Sequence, residues 1–159
     1  GVVTPEDLKK GYAASQVYLP AGEVYLAPVP GTAEGTIVVD KQYFQGKEIT
    51  GLKLTFKEGK LVSMTAKSGL APLKALYDAS GPGKELFGSV DLGINPSITS
   101  GPGSKVLTWV PVGMVTLSIG NNVWAGGDNQ AAFGLPNFLP GSTVKVDEKI
   151  LVENGVAKF

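Results

Sequence analysis

Glycine and proline punctuate this chain from end to end. There are 22 Gly and 11 Pro in 159 residues, spread along the whole length rather than pooled in one linker, with short apolar segments between them. Glycine frees the backbone and proline fixes it, so both end regular elements. Segments this short leave little room for long amphipathic helices, and the spacing predicts a β-rich domain of strands joined by turns.

Gly22 to Val29 and Thr32 to Val39 are rich in Val, Tyr and Ile and are broken by Pro30-Gly31, so they read as two strands. Ile49 to Phe56 alternates apolar with polar, turns through Lys57-Glu58-Gly59-Lys60 and returns as Leu61 to Met64, a hairpin with one wet face. Val90 to Ile94, Val112 to Ile119 and Ala131 to Leu135 read as further strands. A closing meander runs through Thr143 to Val146, Lys149 to Val152 and Val156 to Phe159, with turns at Asp147-Glu148 and Asn154-Gly155.

Two helices are expected. Thr4 to Gly11 carries a cap, Pro at the first helical position, early acids, late lysines and a terminal Gly. Gly69 to Ala79 is the main helix, with Leu70, Leu73, Leu76 and Tyr77 on one stripe and Gly81-Pro82-Gly83 as its stop. The fold class is α+β, mostly antiparallel, in a single domain spanning residues 1–159.

With 43% apolar and 18% charged residues the chain is expected to fold, and at this length it can bury a core without a disulfide or structural metal. All 14 basic residues are Lys and are balanced by 14 acids. With no net charge, no basic stripe and no Arg fork, nucleic acid is not an expected partner. No apolar run approaches the ~20 residues of a membrane span. His and Cys are absent, which excludes Ser-His-Asp and Cys-His nucleophiles, thiolate or imidazole metal sites, disulfides and histidine switches. The chain opens Gly1-Val2-Val3 without an initiator Met or signal-peptide pattern. It is therefore expected to be processed, truncated or excised from a longer protein.

Three stretches offer chemistry. Glu23 stands where a turn enters a strand, either facing a cleft or simply solvated. Asp91 lies beside Gly93 and the Asn95-Pro96 turn, as an acid/base partner of Glu23 or as a structural carboxylate. The loop Gly120 to Asn129 gathers Asn121, Asn122, Trp124, Asp128 and Asn129 among three Gly, to build either tight turns or a binding shelf. Gly101 to Lys105 lacks the phosphate-loop spacing and reads as a turn.

In order, Leu19 to Pro28, Ala33-Glu34-Gly35, Gly93 to Pro96, Gly126 to Asn129, Leu139-Pro140-Gly141 and the Asp147 to Gly155 meander resemble the C-terminal catalytic domain of the M29 metallo-aminopeptidases. The resemblance implies a site of two zinc or cobalt ions, held by two Glu, two His, a Tyr and an Asp, that activates water to remove an N-terminal residue. It places the first Glu at Glu23. The other ligand positions fall at Ser89 (two before Asp91), Thr116, Val123, Gly134 and Pro136. None of these five bears the family's ligand, so the expectation is a degenerate site that holds no metal. The domain would then serve as a binding or structural module, with a peptide or small ligand in the former cleft. The rival expectation is a metal-dependent or remodelled peptidase or hydrolase still using Glu23 and Asp91 in the cleft, and a third is an accessory domain of a longer protein whose activity lies elsewhere. The resemblance further implies a homodimer; the sequence itself leaves the compartment open, cytoplasmic by the resemblance or exported as part of a longer parent, and nothing in this chain corresponds to the family's N-terminal domain.

Overall fold

The structure, a computed structural model, describes residues 4–10, 21–99 and 109–159. In chain order its elements are α1 (Pro5–Lys10), β1 (Glu23–Leu26), β2 (Gly35–Phe44), β3 (Lys47–Lys57), β4 (Lys60–Thr65) and α2 (Ala71–Ala79). They continue as β5 (Phe87–Gly93), β6 (Val115–Gly120), a 3-10 turn (Val123–Ala125), β7 (Gly134–Leu139), β8 (Val144–Val146), β9 (Lys149–Glu153) and β10 (Val156–Ala157). The expected α+β architecture, mostly antiparallel with one main helix and a short N-terminal one, is what the chain adopts. Gly11 and the Gly101 to Lys105 turn lie outside the described residues.

Three antiparallel sheets are present among the described residues: β2-β3-β4, β10-β9-β8 and β1-β5-β6-β7. The first two are built from tight hairpins. Gln45-Gly46, Glu58-Gly59 and Asn154-Gly155 each place both residues at positive φ, the torsions of a type I′ turn, whose twist matches that of the strands it joins. In β3, Ile49 and Leu52 are three residues apart yet both fully buried. Gly51, at φ 56°, supplies the local kink that turns both inward.

The core lies between the first sheet and the inner face of the four-stranded one. Ile37, Val39, Leu52, Leu54 and Phe56 meet Ile119, Phe133 and Leu135, with Leu73 of α2 closing the layer. Edge-on ring pairs Phe56–Phe87 and Tyr77–Phe133, with centroids 5.2 and 5.4 Å apart, join the parts. At the other end of the chain, Thr4 and Asp7 cap α1 reciprocally: the Asp7 amide donates to the Thr4 hydroxyl (3.2 Å) and the Thr4 amide to the Asp7 carboxylate (3.0 Å).

Several strand boundaries differ from the sequence reading; β1 is shorter than expected, β2 runs on to Phe44 and β5 opens earlier, at Phe87. The strands either side of Pro30-Gly31 do not pair with each other; β1 joins β5 and β2 joins β3. The strand expected to open at Val112 opens at Val115, because the turn through Pro111 to Met114 comes first. The strand expected to end at Leu135 runs to Leu139 through Pro136. Proline is tolerated there because β7 is a sheet edge, where a missing N–H breaks no inner ladder.

Candidate functional site

Because side chains alternate across a strand, the four-stranded sheet has a second face, turned away from the core. Register aligns Tyr25, Asp91, Thr116 and Phe138 across it in one row. Two residues to one side of this row Ser118 stands opposite Pro136, and two residues to the other side Glu23 stands opposite Gly93. Ser89, two residues from Asp91, shares this face by alternation, and its hydroxyl lies 2.7 Å from that of Ser118; the bulge between Phe87 and Val90 breaks the alternation beyond it, and Phe87 packs against the core.

A cavity of about 120 Å³ opens here. Its floor is Ser89, Asp91, Thr116 and Ser118, and its walls are Trp109, Val110, Trp124, Pro136 and Phe138. Gly93 makes the first wall possible. A β-carbon at that position would collide with the carbonyl oxygen of Pro111, so only glycine lets the segment carrying Trp109 and Val110 cross the sheet. Trp124, from the 3-10 turn, stands at the rim with its ring 5.2 Å from Tyr25.

The electrostatics are unusual. Asp91 is 6% exposed, and burial pushes its carboxyl from 3.8 up to about 7. The neighbouring Glu23 charge adds to the rise and the Leu92 backbone N–H opposes it. Glu23 is itself raised by partial burial. Asp91 Oδ1 and Thr116 Oγ1 are buried without a hydrogen-bond partner.

Asp91 and Trp124 are thus brought to one cavity, and Ser89, Thr116 and Pro136 with them, while Glu23 lies near Asp91 but outside the lining. Val123 is exposed at the start of the 3-10 turn, and Gly134 opens β7 opposite Gly120. The loop amides do other work. Asn121 donates to the Ala131 carbonyl, Asn122 to Gly88, and Asn129 to both Gly83 and Gly120. Asn122 also accepts from the Asn129 amide. Asp128 is exposed; with Asn122 and Asn129 it borders a separate recess of about 50 Å³. Trp109, Ser118 and Phe138 are members that the sequence reading did not single out. Ser118 and Phe138 follow Thr116 and Pro136 at the strand period of two, whereas Trp109 carries no such signal.

A sequence profile of the thermophilic metalloproteases (M29) matches residues 9–103, more than half of the chain. This chain belongs to the M29 family. The matched part of the M29 domain contains Glu23, Ser89 and Asp91 and ends before β6. Among solved structures, 2,5-dihydroxypyridine dioxygenase from Pseudomonas putida KT2440 superposes with a TM-score of 0.63 at 17% identity, over 84% of this chain and 42% of that one. AmpT from Thermus thermophilus superposes with a TM-score of 0.62 at 18% identity, over 89% of this chain and 40% of that one. The M29 domain shares their fold and spans about two-fifths of their length. No curated protein matches it.

The donor chemistry of the M29 domain does not suit a two-metal centre. Among the described residues no three His, Cys, Asp or Glu side chains come together. The oxygens that share the cavity with Asp91 belong to the alcohols of Ser89, Thr116 and Ser118. Each divalent ion needs several deprotonated N or O ligands to offset its dehydration, and neutral alcohols are poor substitutes. No helix of the described residues is long and apolar enough to cross a membrane.

Proposed function

We propose that this M29 domain has given up the two-metal centre and works without catalysis, keeping the cleft as a small-ligand pocket. The observation that carries this reading is the lining of the cavity. Where the family resemblance puts a Glu, a His and an Asp, the pocket presents Ser89, Thr116 and Pro136, and the chain has no His to supply from elsewhere. Uncharged residues at these positions relieve the repulsion of an empty ligand cluster, a gain in stability that is open once catalysis is not needed. A cavity of about 120 Å³ suits a small molecule better than a peptide chain.

Elemental analysis of protein purified without chelator, followed by zinc and cobalt titration against thermal stability, tests the reading. The expected result is no bound metal and no shift in Tm. Stoichiometric metal, or a clear stabilisation at micromolar zinc, overturns it.

A second reading, a metal-independent hydrolase, draws on Asp91 raised to about 7 beside Glu23. Those two residues are diagonal cross-strand neighbours, a placement that sets their backbones ~7–8 Å apart. It requires peptide or ester turnover that both Glu23→Gln and Asp91→Asn abolish. A homodimer is part of the first reading, and light scattering that gives a 16.5 kDa particle at high concentration refutes it.

A further inference from the structure

The cavity has three properties that converge on one kind of ligand. First, it holds a buried carboxyl, that of Asp91, with no counter-ion. The ion pairs among the described residues are Lys10–Asp7, Lys41–Glu48, Lys74–Asp78 and Lys158–Glu153, and no lysine lines the cavity. Second, it holds two acceptors within reach of a single atom. Asp91 Oδ1 and Thr116 Oγ1 sit directly opposite each other on β5 and β6, both buried and both unpartnered. Residues paired in this way have β-carbons only ~5 Å apart. Third, the walls above them are aromatic, with Trp109, Trp124 and Phe138 facing the space.

We infer that the cavity is a receptor for a small primary ammonium ion carried on a short apolar body, its charge against Asp91 and Thr116 and its hydrocarbon among Trp109, Trp124 and Phe138. A primary ammonium brings three N–H donors and no acceptor. Asp91 and Thr116 take two of them, and the lone pairs of the Ser89–Ser118 hydroxyl couple take the third. The cation restores charge balance at a carboxylate that otherwise ionises at a cost, and indole faces attract it further. A neutral ligand of the same shape would leave acceptors unpaired, and an anion would meet the Asp91 carboxyl; selectivity follows from these penalties. Size follows from volume. An engineered apolar cavity of about 150 Å³ takes up benzene, so about 120 Å³ admits a body of slightly fewer atoms.

The test uses chelator-treated protein at pH 8, titrated with n-butylammonium chloride and, separately, n-butanol, and followed by tryptophan fluorescence and calorimetry. Saturable one-site binding of n-butylammonium is expected, tighter than n-butanol by about ten- to a hundredfold, the range that a hydrogen bond to a charged group commands. Asp91→Asn should weaken n-butylammonium by a similar factor and leave n-butanol unchanged. Glu148→Gln, at an exposed carboxylate away from the cavity, should change neither. Equal affinity for the two probes, no saturation, or an Asp91→Asn variant that binds n-butylammonium like wild type overturns the inference. If Asp91→Asn does not fold, Thr116→Val and the two-probe comparison on wild type decide it by the same criteria. The inference rests on the metal-free reading above, yet the two fail separately. Zinc uptake defeats that reading on the metal analysis, whereas failure of n-butylammonium in chelated protein defeats only this one.

Discussion

Replacing Asp91 by Asn should make the protein more stable above neutrality and remove its pH dependence there. Asp91 has its carboxyl raised from 3.8 to about 7 in the folded state, so the folded protein holds a proton that the unfolded chain has released. Stability is then greatest at low pH and falls as pH rises through that interval. The full rise corresponds to about 4 kcal/mol at most. Solvent reaching the open cavity screens it to about 2 kcal/mol. About half of the fall lies between pH 5.5 and 7.5. That stretch is otherwise quiet, because the chain has neither His nor Cys. At 2–4 °C per kcal/mol for a chain of this size, wild type should lose about 2–4 °C of Tm across the window. Asp91→Asn, which matches the protonated acid in shape, should lose none and should exceed wild type at pH 8 by about 4–8 °C. Circular-dichroism melts of both proteins at half-unit pH steps measure this. A wild-type Tm flat from pH 5.5 to 8.5, or a variant curve parallel to the wild type, refutes the argument.

Gly93→Ala should cost about 3 kcal/mol, because the added methyl collides with backbone at Pro111 rather than with a movable side chain; chemical denaturation checks it, and a wild-type midpoint would mean that the wall shifts freely. Asn122→Ala removes a donor to the Gly88 carbonyl and an acceptor for the Asn129 amide, and should cost about 2 kcal/mol in the same assay. Because that amide lies outside the main cavity, n-butylammonium affinity should not change.

Much of the fold was legible wherever a local cause was strong enough to decide the local outcome. The Thr4 and Asp7 cap, the Leu73 stripe and the Asn154-Gly155 turn each act within a few residues, and each element formed where these signals stood. Pro136 misled because proline reads as a strand breaker until the strand is known to be an edge, a fact of topology and not of neighbourhood. Gln45-Gly46 is a weaker turn signal than Asn-Gly, so the extension of β2 to Phe44 passed unnoticed. For the site, Glu23 and Asp91 stood out as carboxylates near turns, but their meeting depends on a pairing across more than sixty residues. Asn121, Asn122 and Asn129 attracted notice by composition, and it is the backbone carbonyls they bind that explain it. Trp109 reaches the cavity only because Gly93 lets its segment cross the sheet, which no spacing reveals.

The four-stranded sheet also has a consequence in time. Its strands come from residues 23–26, 87–93, 115–120 and 134–139, whereas β2, β3 and β4 close within residues 35–65. Long loops cost more entropy to close, so the local hairpins are expected to form first and the sheet that carries the cavity to consolidate late. Contacts made late are absent from the transition state. A molecule held in the cavity therefore acts on the way out of the native state: it slows unfolding and lengthens the life of the folded domain, while the rate at which a new chain folds stays the same.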